Sequence, residues 1–281
     1  MRFMSLCLGA VPLFVATAAN AQTITPIEGS RSVSASISAV DAVTNVVQSD
    51  SRGTNGFAAF NESLSFHANT QYEGSRSRVD ANASGTQQST ITASRITASV
   101  STSAEGVALD RSARGQGVGN ADFYLTFEVN RRARYVVTGN AQATSNASNG
   151  GTRFGGSTAL LYIANLESGI PVLSIDIGDS DSDSVSRTGW MPAGPYTLQG
   201  DVSALVDANG RFSGTASASW ALDLKLFCAS DFDANGVVNA VDSTAFLSAW
   251  SAGLLTADID GNGVINTADR DVFQLAYGRG C

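Results

Sequence analysis

One phrase of twelve residues occurs twice near the end of the chain, and it fixes what that region can fold into. The copies are D-F-D-A-N-G-V-V-N-A-V-D, Asp231 to Asp242, and D-I-D-G-N-G-V-I-N-T-A-D, Asp258 to Asp269. In both, oxygen-bearing side chains fall at positions 1, 3, 5, 9 and 12, with Gly at position 6. Alternate oxygens on a short loop with a glycine bend are what a hard cation with six to eight oxygen ligands requires, and calcium is the natural occupant. The expected ligands are Asp231, Asp233, Asn235, Asn239 and Asp242 in the first loop and Asp258, Asp260, Asn262, Asn266 and Asp269 in the second. Position 7 offers only its carbonyl, so Val237 and Val264 serve there. Gly236 and Gly263 permit the turn that brings the later ligands back to the ion. Two calcium ions are expected in all.

The plainer alternative is a pair of acidic Asn-Gly turns that bind nothing. A chance match rarely fills every liganding position even once. Asp207-Ala-Asn209-Gly210 shows such a partial match: it begins alike, but its twelfth position is Ala218. That stretch reads as a turn.

An apolar helical face follows each loop: Val241, Ala245, Phe246, Ala249 and Trp250, then Ala268, Val272, Phe273, Ala276 and Tyr277. A shift of 27 residues lays Phe246 on Phe273 and Trp250 on Tyr277. No helix is signalled before either loop. A duplicated loop with only its exiting helix resembles the dockerin module of bacterial secreted proteins, and Cys228 with the terminal Gly280-Cys281 is similar to the GC-type subtype. Position 12 is Asp where an EF-hand loop has a bidentate Glu. Loop positions 10 and 11, often Ser-Thr in cellulosomal dockerins, are here Ala240-Val241 and Thr267-Ala268. The resemblance implies attachment to a cohesin-like or cell-envelope protein and a setting of extracellular polysaccharide breakdown. It also implies that Cys228 and Cys281 meet in a disulfide; a free Cys281 used for covalent attachment stands as the alternative.

At the other end, Arg2, the apolar run Phe3 to Ala18 and the small residues Ala19-Asn20-Ala21 read as a secretory signal peptide. Of three cysteines, Cys7 would be lost with it. The expected organisation is a signal peptide at 1–21, a body at 22–227 and a dockerin-like domain at 228–281, exported and extracellular or surface-associated. The formal net charge is −8, with seven Asp against two Arg from Cys228 onward. That balance argues against nucleic acid or an anionic membrane as a partner. No other stretch is apolar enough to insert into a membrane.

The body is rich in Ser, Thr, Ala and Gly and alternates with period two. Val33, Ala35, Ile37 and Ala39 are separated by serines. Further apolar faces are Ala58, Phe60, Leu64, Phe66, Ala68 and Tyr72; Phe123, Leu125, Phe127 and Val129; Leu173, Ile175 and Ile177; and the even positions from Phe212 to Leu226. Many short strands with one polar side predict an antiparallel β-sandwich, jelly-roll-like, so the chain as a whole is mainly β with a small all-α tail. Tyr135 and Val137 are expected to pair with the 123–129 strand after the Asn130–Arg132 turn, and the turn at 207–210 to close a second hairpin.

Catalytic signals are sparse. The sole histidine, His67, falls on a polar strand face. No G-x-S-x-G occurs, and glutamates are scattered. Asp176, Asp179, Asp181 and Asp183 could form a third cation loop, though a solvated acidic loop fits better. Tyr162, Trp190, Tyr196 and Trp220 could stack on sugars, with Trp220 better placed for a core; Arg131, Arg132 and Arg134 look like turn decoration. The favoured reading is a non-catalytic sandwich tethered by its tail. A glycoside hydrolase and a carbohydrate-binding module are the alternatives.

Overall fold

A computed structural model describes residues 23–41, 43–71, 78–148 and 154–279. Residues 1–21, read from sequence as a signal peptide, lie outside them, as do Tyr72 and Cys281, so the proposed Cys228–Cys281 pairing has one end beyond the described chain.

The body is two six-stranded antiparallel sheets. The strands are β1 (Ile24–Val40), β2 (Asn45–Thr54), β3 (Phe60–Gln71), β4 (Arg78–Ile91), β5 (Arg95–Ala108) and β6 (Arg114–Val129). They continue as β7 (Ala133–Ser148), β8 (Phe154–Asn165), β9 (Pro171–Ile177), β10 (Asp181–Met191), β11 (Gly194–Asn209) and β12 (Ser213–Phe227). One sheet runs β2-β1-β6-β11-β8-β9, the other β10-β7-β12-β5-β4-β3. Period-two alternation explains the strands: Val33, Ala35, Ile37 and Ala39 are all buried while the intervening serines stay partly exposed.

The inner faces pack on each other with a graded filling. At one end β6 carries Gly115, Gly117 and Gly119, and a methyl on Gly117 would strike the carbonyl oxygen of Asn82 in the opposite sheet. Here backbone almost meets backbone. Toward the other end the gap widens to take Phe123, whose ring meets Trp220 edge-on at 6.0 Å and 85°, and Phe127, stacked on Tyr196 at 5.7 Å. Gly200 leaves the space that the Trp220 indole fills.

Both expected hairpins are corrected. β6 pairs with β1 and β11, whereas β7 pairs with β10 and β12. The 130–132 connection therefore crosses from one sheet to the other. The turn at 207–210 does the same between β11 and β12, with Gly210 and Arg211 at φ 65° and 71°. Alternation reports that one face of a strand is buried. It carries no information on whether the next strand lies beside it or across the core.

After β12 the chain forms helix α1 (Ala240–Ser251), a short 3-10 turn (Leu255–Ala257) and helix α2 (Thr267–Arg279). Neither helix is long and apolar enough to cross a membrane, nor is any other among the described residues. A second core gathers Phe232, Phe246, Ala249, Ala257, Ile259 and Phe273. Phe246 and Phe273, equivalent in the two copies, stack at 4.1 Å and 5°. The helical faces are narrower than their spacing suggests: Val241 and Val272 are 58% and 40% exposed. Val241 sits in the first turn of α1 and Val272 in the second turn of α2. Two core members, Phe232 and Ile259, occupy position 2 of the loops. An apolar residue at the same place in both copies is the signal that would have revealed them.

Candidate metal centre

The two twelve-residue stretches fold alike, atom for atom in much of their hydrogen bonding. In the first, Asp231 accepts from the N–H of Asn235 (3.0 Å) and of Gly236 (2.8 Å). In the second, Asp258 accepts from the N–H of Gly261 (2.9 Å) and of Gly263 (3.1 Å). Asn235 and Asn262 each donate to the carboxylate two residues earlier, both at 2.8 Å. Each also accepts from the N–H of the following valine, Val237 or Val264, at 2.7 Å. Position 6 lies in the left-handed region in both, Gly236 at φ 88° and Gly263 at 81°. Position 4 does too, Ala234 at 59° and Gly261 at 80°. Gly261 in the second copy is the sequence signal for this bend at position 4.

The last ligand positions are shared with the helices. Asn239 caps α1 by accepting from the N–H of Val241 (2.8 Å), and Asp242 returns the favour by accepting from the N–H of Asn239 (2.9 Å). This is a reciprocal capping box. Asn266 and Asp269 repeat it at α2, with the N–H of Ala268 at 2.6 Å and that of Asn266 at 2.9 Å. Asp242 also takes the N–H of Asp233 (3.1 Å), and Asp269 those of Ile259 (2.8 Å) and Asp260 (3.2 Å). Asp at position 12 is short enough to tie the helix start to the beginning of its own loop.

Three carboxylates converge in each loop: Asp231, Asp233 and Asp242, then Asp258, Asp260 and Asp269, with ligand atoms within 4.8 Å of one another. The first and last of each trio are buried. Burial pushes the Asp231 carboxyl up; the N–H groups of Gly236 and Asn235 pull against this without cancelling it, and Asp242 and Asp233 add to the rise. Like charges held this close in a partly desolvated pocket fit a divalent cation, which would remove the repulsion. Asn235 and Asn239, Asn262 and Asn266, and the carbonyls of Val237 and Val264 stand around the same loops as further oxygen donors. These two clusters are the groups of metal-binding type found among the described residues.

Two arginines of the body close against the loops. Trp190 of β10 donates its Nε1–H to the carbonyl of Thr256 (3.0 Å) and packs on the tail core. Arg132 and Arg134 stack on the Trp190 ring at 5.3 and 5.9 Å from its centre, and Arg134 lies 4.8 Å over Phe232. Burial pushes both guanidiniums down from their usual value. Asp258, Asp260 and Asp269 oppose this for Arg132; Asp231, Asp233 and Asp242 do so for Arg134. Neither arginine is turn decoration.

Other candidate positions do not assemble. His67 is exposed on β3, bonded to Asn82, which donates to Glu105 (2.8 Å) in a cross-strand row on the outer face. Asp179 accepts from the N–H of Ser157, and Asp181 and Asp183 each bind the N–H of the next serine, so these carboxylates turn to separate partners. Tyr196 and Trp220 are core residues and Trp190 faces the tail, so no stacking platform forms from them. Neither a protein-family model nor a curated protein matches the chain.

Proposed function

We propose that this is a secreted, non-catalytic β-sandwich protein held to a surface or scaffold partner by a dockerin-like tail that binds two calcium ions. The single observation behind this reading is the repeated convergence of three carboxylates in two loops with matching hydrogen bonds. The ligands are Asp231, Asp233, Asn235, Val237 (through its carbonyl), Asn239 and Asp242, and their counterparts Asp258, Asp260, Asn262, Val264, Asn266 and Asp269. Because positions 9 and 12 also start the helices, calcium and helix formation would reinforce each other. The partner is a cohesin-like or cell-envelope protein, in a setting of extracellular polysaccharide breakdown or binding.

Calorimetric titration of the full chain with calcium is expected to show two sites, and Asp231→Ala or Asp258→Ala to remove one each. No uptake at millimolar calcium would sink the proposal. Capture of envelope proteins on the immobilised chain, in calcium and in chelator, then tests attachment: binding that is indifferent to calcium contradicts the tail's role.

A further inference from the structure

The body closes one side of each acidic loop with a cation of its own. Arg132 and Arg134 are two apart on an extended stretch, so their side chains leave the chain on the same side. Arg132 reaches the second loop: its Nη1 is 3.9 Å from Asp258 Oδ1, at position 1, and it fills the space beside Gly261, at position 4. Arg134 reaches the first, lying over Phe232 at position 2. Trp190 between them is anchored to Thr256 of the tail. One arginine therefore serves one loop.

Each guanidinium is drawn to a cluster of three carboxylates. A divalent ion bound in that cluster would claim the same carboxylates and stand close to a charge of its own sign. We infer that the body–tail contact is a calcium-sensitive latch, in which Arg132 opposes the ion of the 258–269 loop, Arg134 opposes that of the 231–242 loop, and loading loosens the tail from β7 and β10. The inference rests on the reading that the loops take calcium. The coupling is reciprocal: whatever factor docking takes from calcium affinity, calcium takes from docking. At about 6 Å in a water-like dielectric, a unit charge against a divalent ion amounts to about tenfold in affinity. The tail follows directly on β12, so a released tail stays joined to the body by the chain alone.

Calorimetry with calcium chloride on the full chain tests this one loop at a time. In an Asp231→Ala background only the second site remains, and Arg132→Gln is expected to tighten it about tenfold. In an Asp258→Ala background, Arg134→Gln is expected to do the same for the first. Arg→Lys at either place keeps the charge and loses the planar stack, and it leaves affinity close to that of the arginine. Small-angle scattering of the unmutated chain gives a second readout that needs no variant: its radius of gyration rises on calcium loading and not in sodium chloride of matched ionic strength. Gln variants that bind calcium equally or more weakly, or an unmutated chain that loads two ions with unchanged dimensions, overturn the latch and leave the calcium sites standing. An unmutated chain that takes up no calcium overturns both.

Discussion

Replacing Phe246 by Ala should unfold the tail in chelator and leave it folded in calcium. Phe246 is fully buried, its ring stacked 4.1 Å from that of Phe273 and meeting Phe232 edge-on at 5.6 Å and 82°. Truncating a buried Phe costs about 3–5 kcal/mol, a sum that includes the two ring contacts. A core of this size rarely provides more than about 3–5 kcal/mol on its own, so the substitution removes nearly all of it. Calcium at a hundred times its dissociation constant returns about 2.7 kcal/mol per site, roughly 5 kcal/mol for two. Hydrogen exchange on the full chain reads the result by segment. In chelator, amides of 240–251 and 267–279 should lose protection while those of β5, β6 and β12 keep theirs. In saturating calcium the helical amides should recover. Leu247→Ala, which truncates a side chain 43% exposed, is the control and should change little. Protected helices in chelated Phe246→Ala would refute the claim that the Phe246–Phe273 stack holds the tail together. Failure of calcium to restore them would refute the linkage between ion and helix.

Three further substitutions test other parts of the structure. Ala234 sits at φ 59°, where a side chain costs about 1–2 kcal/mol, so Ala234→Gly should stabilise the tail by a net of about 0.5 kcal/mol once glycine's extra chain entropy is offset, read as a higher melting temperature; Gly261→Ala, at φ 80° against Arg132, should lower it. Gly117→Ala drives a methyl into the Asn82 carbonyl and should destabilise the body by about 1–3 kcal/mol in a denaturant titration, whereas Gly178→Ala, with nothing close by, should be nearly neutral. Asp201 pairs directly across from Asp122, and burial followed by that neighbour raises its carboxyl above the ordinary value even though Gln199 donates to it at 2.7 Å. A raised folded-state value means this site's contribution is full below the unfolded pKa and is lost as pH rises through the folded one. Asp201→Asn should thus stabilise the body at pH 7 by about 0.5 kcal/mol, with the gain vanishing below about pH 4; a gain that persists in acid would contradict the cause given.

The strands were legible because burial of one face imposes period two whatever the strand's neighbours are. Val33 to Ala39 could be read residue by residue for that reason. Pairing was not legible: Phe127 and Tyr135 lie in different sheets, and nothing in either's own segment encodes the crossing. The convergence of Asp231, Asp233 and Asp242, and of Asp258, Asp260 and Asp269, was legible because their spacing is local and repeats in a second copy. Phe232 and Ile259 were not legible from the liganding pattern, because position 2 answers to the tail core. Arg132 and Arg134 escaped because their partners, Asp258 and Phe232, are about a hundred residues away in sequence. Charges on a turn show their worth only when the fold brings another segment over them.

The strand order has a bearing on how the molecule is made. β11 lies between β6 and β8 in one sheet, and β12 lies between β5 and β7 in the other. Both sheets therefore lack their middle strand until the last of the body has left the ribosome. A chain grown only to Met191 holds four half-sheets with interior edges open, each a template for wrong pairing. Such long-range closure is slow to form and leaves the nascent chain exposed meanwhile. The acidic tail follows directly on β12, so any molecule long enough to display the tail already carries both strands that complete its body. Attachment by that tail would select finished molecules over truncated ones without any separate check on folding.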